Sequence, residues 1–154
     1  MKLNAFTDVC LRILMTLGRD PERKLTSQDI ADEIAVPYNH VIKAVGELRR
    51  RGALTVTRGR TGGARITDHG LHLRVGGLVR DLSTRDEVID CEGKESGTPC
   101  PLVGNCALRG ALARAREAFL AELDAITLAE LLPPLSEATG PVSLGLPPVG
   151  APAV

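Results

Sequence analysis

Tryptophan is absent, and Phe6, Phe119 and Tyr38 are the only aromatic residues in 154. A core without large rings must be built from Leu, Val, Ile and Ala, which favours packed helices. No apolar run reaches the roughly 18 residues that a bilayer-spanning helix needs. The N-terminus lacks the apolar stretch and small-residue cleavage site of a secretory signal. Both absences point to a cytoplasmic chain with no membrane partner. The four cysteines are then expected as ligands, reactive thiols or core residues rather than disulfides. A P-loop, a Rossmann glycine pattern and a nucleophile–base pair are also lacking, so the chain is read as a non-enzyme.

Lysine plus arginine balances aspartate plus glutamate at 19 each, but the charges are not evenly spread. Residues 43–65 hold Lys43, Arg49, Arg50, Arg51, Arg58, Arg60 and Arg65 against Glu47 alone, a local balance of +6. Residues 66–154 carry seven basic and twelve acidic residues, a balance of −5. A basic block within a neutral chain is the footprint of a phosphate partner.

The order of elements around that block sharpens the reading. Phe6, Val9, Cys10, Ile13, Leu14 and Leu17 recur at helical spacing up to Gly18. Thr26 precedes Ser27-Gln28-Asp29, a capping-box pattern opening a short helix with Ile30 and Ile34 inward. Val36-Pro37 breaks it, and a third helix is predicted from about Tyr38 to Arg51, with Val41, Ile42, Val45 and Leu48 buried. Gly52 ends that helix. Leu54 to Arg58 alternates, Gly59 to Gly63 turns, and Ala64-Arg65-Ile66 returns as a hairpin.

Helix, turn, helix and a basic glycine-rich hairpin make a winged helix-turn-helix, whose third helix lies in the major groove of double-stranded DNA. Tyr38, Asn39, His40 and Lys43, at its N-terminal end, are nearest the base edges. Arg58 and Arg60 on the wing meet phosphates or the minor groove. The DNA-facing set is Ser27, Tyr38, Asn39, His40, Lys43, Arg50, Arg58, Arg60, Thr61, Gly62 and Gly63. Two such modules on a two-fold dimer imply a palindromic operator.

Residues 68–80 are predicted to continue as a helix. Its His69 and His72 lack the further ligands a metal site requires. From Asp81 to Asn105 the chain reads as loop, and from Cys106 as helix. There Leu108, Leu112, Ala115, Phe119 and Leu123 form a stripe, flanked by seven alanines between 107 and 125. A rod of about 20 residues, roughly 30 Å long, exceeds what one small winged domain covers and is expected to pack against its twin. Thr127-x-x-Glu130 is a second capping box. Residues 133–154, with six Pro, three Gly and only Glu137 charged, read as a flexible tail. The fold class is thus mainly α with a small β-hairpin wing, divided as 1–80 DNA-binding, 81–105 loop, 106–132 dimerisation and 133–154 tail.

Cys91, Cys100 and Cys106 fall in one sixteen-residue loop with Gly93, Gly97, Pro99, Pro101 and Gly104. Structural zinc takes cysteines in close pairs, and the gaps here are eight and five residues. Iron–sulfur clusters accept such irregular loops. Cys106 opens a helix, whose dipole favours thiolate. Three thiols leave one iron of a cubane to another ligand.

A winged helix followed by a three-cysteine loop and a long helix resembles the winged-helix iron–sulfur regulators, the family of the nitric-oxide-sensing NsrR repressors and of IscR. The likeness runs from Met1 to about Leu146. It includes Lys2-Leu3, Phe6-Thr7-Asp8, Val36-Pro37-Tyr38, Arg58-Gly59-Arg60, Asp90-Cys91-Glu92-Gly93, Pro99-Cys100-Pro101-Leu102, Gly104-x-Cys106 and Gly140-Pro141-Val142. Arg109 stands where IscR-like members place a ligand histidine, so the NsrR-like branch is the better match. The resemblance implies a homodimeric repressor with a 4Fe–4S cluster on Cys91, Cys100, Cys106 and the other subunit's Asp8, released from DNA by nitric oxide. Helical geometry turns Asp8 away from the apolar stripe. Spacing alone favours an exposed ion pair between Asp8 and Arg12, and Cys10 is the rival ligand. A regulator reading iron or oxidants through the same loop is the alternative function.

Overall fold

The computed structural model describes residues 3–83 and 88–133. The tail expected over 133–154 (apart from Pro133), Lys2 and Gly140-Pro141-Val142 lie outside the described residues.

Helix α1 spans Ala5–Gly18. The Asn4 side chain accepts from the Thr7 amide at 2.7 Å and donates to the Leu82 carbonyl at 3.0 Å. One residue thus caps α1 and ties its start to a helix far along the chain. Val9, Cys10, Ile13, Leu14 and Leu17 are buried as expected, but Phe6 is 37% exposed. Helical side chains lean toward the N-terminus, which carries Phe6 past the end of the packed stripe; Thr7 is buried instead.

The Thr26–Asp29 capping box forms, with Asp29 N donating to Thr26 Oγ1 at 3.2 Å and Thr26 N to Asp29 Oδ2 at 3.0 Å. It opens α2, Ser27–Ile34, which ends on Ala35 in the left-handed region at φ 52°. Helix α3 comes next as Tyr38–Arg50. Its inward face is Val41, Ala44, Val45 and Leu48, not Ile42, which is 44% exposed. At 100° per residue Ile42 lies about a quarter-turn off the centre of that face, where Ala44 is better placed.

Gly52, at φ 73°, releases the chain into β1, Leu54–Thr57, and β2, Gly63–Ile66. The two strands pair antiparallel from Leu54↔Ile66 to Thr57↔Gly63, leaving Arg58 outside β1. Leu25 flanks the wing, exchanging hydrogen bonds with Ala64 at 2.7 and 3.1 Å.

The continuous helix predicted over 68–80 is two helices, α4 (Asp68–Leu71) and α5 (Val75–Leu82). Between them the backbone extends to pair with residues 126–128. Val75 N donates to Ile126 O and Leu128 N to Leu73 O, each at 3.0 Å. The partner segment lies about fifty residues away, so local periodicity carries no trace of the break.

Helix α6 spans Ala107–Asp124, with Cys106 as its N-cap and a 3-10 turn at Val103–Asn105 before it. Helix α5 packs against α6 around Val75, Val79 and Leu120, with Leu3, Leu11, Leu123 and Ile126 at the margin. Leu120, not the predicted stripe, is the buried residue of α6. Leu123 turns to this intrachain contact, while Leu108 (60%), Phe119 (39%) and Ala115 remain exposed. Thr127 N and Oγ1 both donate to Glu130 Oε2 at 2.6 Å, but this box opens only a single 3-10 turn, Ala129–Leu131. Leu128 plugs the main core beneath α1–α3.

Candidate nucleic-acid interface and cysteine loop

Pro37 caps α3 without a side-chain hydrogen bond to its first amides, leaving the positive end of the helix dipole open to a partner. Tyr38, Asn39, His40 and Lys43 are all exposed there. Among the described residues Lys43, Arg49, Arg58 and Arg60 have no ion-pair partner. Arg50 is engaged by Glu47, and Arg65 by Glu22 at 3.0 Å. Those four cations sit on α3 and the wing tip, where a polyanion would meet them without displacing an internal carboxylate.

The wing turn is closed by Gly62 N donating to Gly59 O at 2.9 Å. A side chain at Gly62 would strike Thr57 O, and one at Gly63 would come within 2.8 Å of Leu25 O. Both glycines are half-buried spacers, while Arg58, Gly59, Arg60 and Thr61 form the exposed tip. Ser27 is half-buried at the first turn of α2.

Arg51 stands out in the sequence only as part of the basic block, yet it spans two elements. Its Nε reaches Glu47 of α3 at 2.7 Å, and Nη1 reaches Asp81 in the last turn of α5 at 2.6 Å. Arg80 links α5 onward to Glu117 at 2.7 Å and Asp124 at 2.9 Å on α6. These pairs tie the recognition helix to the two helices between which the cysteine loop is strung.

All four cysteines are free thiols. Cys10 is fully buried, and burial, with the nearby Glu47 charge, pushes its thiol up to about 12 despite the opposing Arg51. A thiol sealed in the core in this way behaves as a small protonated hydrophobe, whereas Asp8, the other candidate for the fourth ligand, lies at the surface. Cys91 is buried and Cys100 and Cys106 are half-buried. The Cys100 amide donates to the Cys91 carbonyl at 3.0 Å, setting these two residues side by side. Val103 N donates to Cys100 O at 3.1 Å, starting the turn that delivers Cys106 to the head of α6.

Asp8 lies in the first turn of α1, half-exposed and 3.0 Å from Arg12. No group of three or more His, Cys, Asp or Glu converges on a metal-holding point among the described residues. The donor set nevertheless fits an iron–sulfur group in kind: three soft sulfurs in one glycine- and proline-bearing loop, one of them at a helix N-cap.

Asp90, beside the first loop cysteine, has contacts that its place in the sequence does not announce. Its Oδ1 accepts from Lys94 N at 2.8 Å, and its Oδ2 from Glu95 N and Ser96 N at 2.9 Å each. The Ser96 and Glu95 amides chiefly hold its carboxyl down at about 2. Glu92 pairs with Lys94 at 2.7 Å and approaches Arg109 of α6 at 3.6 Å.

The family model for Rrf2, described as iron-dependent transcriptional regulators, matches residues 3–134. The HTH-type transcriptional repressor NsrR of Streptomyces coelicolor is 46% identical over 148 residues, covering 95% of this chain and 96% of that protein. The HTH-type transcriptional regulator NsrR of Geobacillus kaustophilus is 38% identical over 133 residues, covering 86% and 90%. Among solved structures, that of T. potens IscR superposes with a TM-score of 0.64 over 85% of each chain at 17% identity, a likeness of fold.

Proposed function

The chain belongs to the Rrf2 family of iron-dependent transcriptional regulators, and on that premise we propose that it is a nitric-oxide-responsive repressor. It is a DNA-binding transcriptional repressor of that family and not an enzyme. Among the described residues no helix is long and apolar enough to cross a membrane.

In this reading Cys91, Cys100 and Cys106 hold a 4Fe–4S cluster and Asp8 of a second copy supplies the remaining ligand. The cluster, when bound, supplies iron at which nitric oxide reacts. Asp8 offers a carboxylate that exchanges more readily than thiolate, and Arg12 stands ready to pair with it once it is freed. Two copies meet through the face of α6 bearing Leu108, Ala115 and Phe119, exposed in the single chain. The two α3 helices then read a palindromic operator, with half-sites about one DNA turn or a multiple apart. The single observation that carries the reading is the route from loop to reader. The loop leaves α5 just beyond Asp81, and Asp81 is held by Arg51 against Glu47 of α3.

Anaerobically prepared protein is expected to be brown and to contain iron and sulfide, and Cys91→Ala, Cys100→Ala and Cys106→Ala each to abolish this. Gel-shift titration is expected to show operator binding by the loaded protein and its loss as nitric oxide is added. Zinc without sulfide in native protein would overturn the cluster. Unchanged affinity after complete reaction with nitric oxide would overturn the signal. The family's iron-dependent description favours one second reading, a regulator of the same loop by iron supply. It requires that iron chelation, and not nitric oxide, release the DNA.

A further inference from the structure

We propose that Asp90 is a positioning residue that folds the 90–100 segment around its own carboxylate and thereby sets Cys91 beside Cys100 before any cluster arrives. This rests on the reading of the loop as a cluster site and adds a residue that does not itself ligate.

Three consecutive amides, those of Lys94, Glu95 and Ser96, donate to this one carboxylate at 2.8–2.9 Å. Successive amides converging on one anion form a nest, and here the anion is supplied by the chain itself. Ser96 Oγ lies 3.0 Å from Asp90 Oδ2 and 3.1 Å from Thr98 O, linking the nest to the returning limb. Gly97 N donates to Gly93 O at 2.8 Å and closes the turn. Gly93 sits at φ 72°, and a Cβ there would strike the Thr98 carbonyl and approach Pro99 N at 2.6 Å. The two limbs therefore pass in direct backbone contact. Immediately beyond that contact lies the Cys100 N to Cys91 O hydrogen bond at 3.0 Å.

Eight residues separate the two thiols in sequence, and a free chain of that length samples many spans. Ordering it costs conformational entropy. Charge-assisted hydrogen bonds to the Asp90 carboxylate offset that cost in the apo protein. The Glu92–Arg109 approach then lays the folded turn against the first turn of α6, which Cys106 caps.

The test compares wild type, Asp90→Ala, Asp90→Asn and Gly93→Ala as full-length, reduced protein. Backbone hydrogen exchange on the apo form reads the nest directly. Anaerobic reconstitution with ferrous iron and sulfide, then loss of visible absorption under a chelator, reads its consequence. Exchange at Lys94, Glu95 and Ser96 is expected to be about tenfold or more faster in Asp90→Ala. Asp90→Asn, which keeps one acceptor oxygen, is expected to fall between. Cluster uptake is expected to slow, and chelator sensitivity to rise, in the same order. Gly93→Ala is expected to slow uptake with Asp90 intact, because it parts the limbs from the other side. Equal exchange at these amides in wild type and Asp90→Ala overturns the proposal. Altered exchange with unchanged uptake and lifetime also overturns it. A wild-type protein that takes up no cluster overturns the function proposed above as well, and the apo exchange data show separately whether the nest exists.

Discussion

Gly76 and Gly77 are adjacent in α5, yet an added methyl group is expected to act with opposite sign at each. A Cβ at Gly76 would strike Asp124 Oδ1 and lie 2.5 Å from Leu120 O and 2.6 Å from Asp124 N. Two of those three obstacles are backbone, so no rotamer change relieves them. Ordinary contact begins near 3.4 Å, so α5 and α6 must separate by about 1 Å or shear past one another. Overpacking of this kind costs typically about 1–3 kcal/mol. Replacing glycine in a helix returns about 0.5–1 kcal/mol through the unfolded chain. The net expectation for Gly76→Ala is a loss of up to about 2.5 kcal/mol, or up to roughly 10 °C in Tm for a chain of this size. At Gly77 nothing lies within 4 Å of the added carbon. Gly77→Ala keeps only the favourable term, about 0.5–1 kcal/mol. Urea and thermal unfolding of the apo protein at one fixed protein concentration measure both, the concentration being fixed because association shifts apparent stability. Shifts in the same direction for the two variants would refute the close-packed α5–α6 contact.

Three further outcomes are expected. Burial raises the Cys10 thiol from 9.0 to about 12, so above pH 9 the unfolded chain releases a proton that the folded chain keeps. Its contribution is full below pH 9 and declines toward pH 12, by up to about 1.4 kcal/mol per unit. Urea unfolding of wild type and Cys10→Ala between roughly pH 8 and pH 10 should show this decline only in wild type; equal slopes would remove Cys10 as its source. Arg60→Ala is expected to weaken DNA binding and reduce the log–log salt slope by about one, while Asn39→Ala relaxes preference at particular base pairs; an unchanged slope for Arg60→Ala would place the wing tip off the phosphates. Mixing Asp8→Ala with Cys100→Ala subunits is expected to restore one cluster per heterodimer, and heterodimers holding no more iron than either homodimer would rule out ligation across the subunits.

Features legible in the sequence are those whose causes are local. Thr26 and Asp29 are three residues apart, and their reciprocal hydrogen bonds depend on little else. Gly52 needs a left-handed backbone to leave α3, and its identity announces that need. The hairpin is readable from alternation and turn glycines in the same way. Ile42 misleads because its hydrophobicity outweighs its angle: Ala44 has less to bury but lies closer to the centre of the face. The break at 72–74 is invisible because its cause is the 126–128 segment, which meets it only in the folded chain.

The cysteine loop divides along the same line. The core place of Cys10 is readable from its stripe, and the structure adds the desolvation that raises its thiol. The Asp90 nest is not announced in the sequence: its amides lie four to six residues on, beyond the two-residue reach of an Asx turn, and only the folded turn brings them to the carboxylate. Asp8 is different in kind. Its pairing with Arg12 at 3.0 Å is the state a lone chain must adopt, because a half-exposed carboxylate takes the nearest cation. Any other use of Asp8 requires a partner stronger than a pair worth about a few tenths of a kcal/mol. Such a partner would displace Arg12 at little cost, so this surface pair does not stand in the way of the ligation across subunits proposed for Asp8.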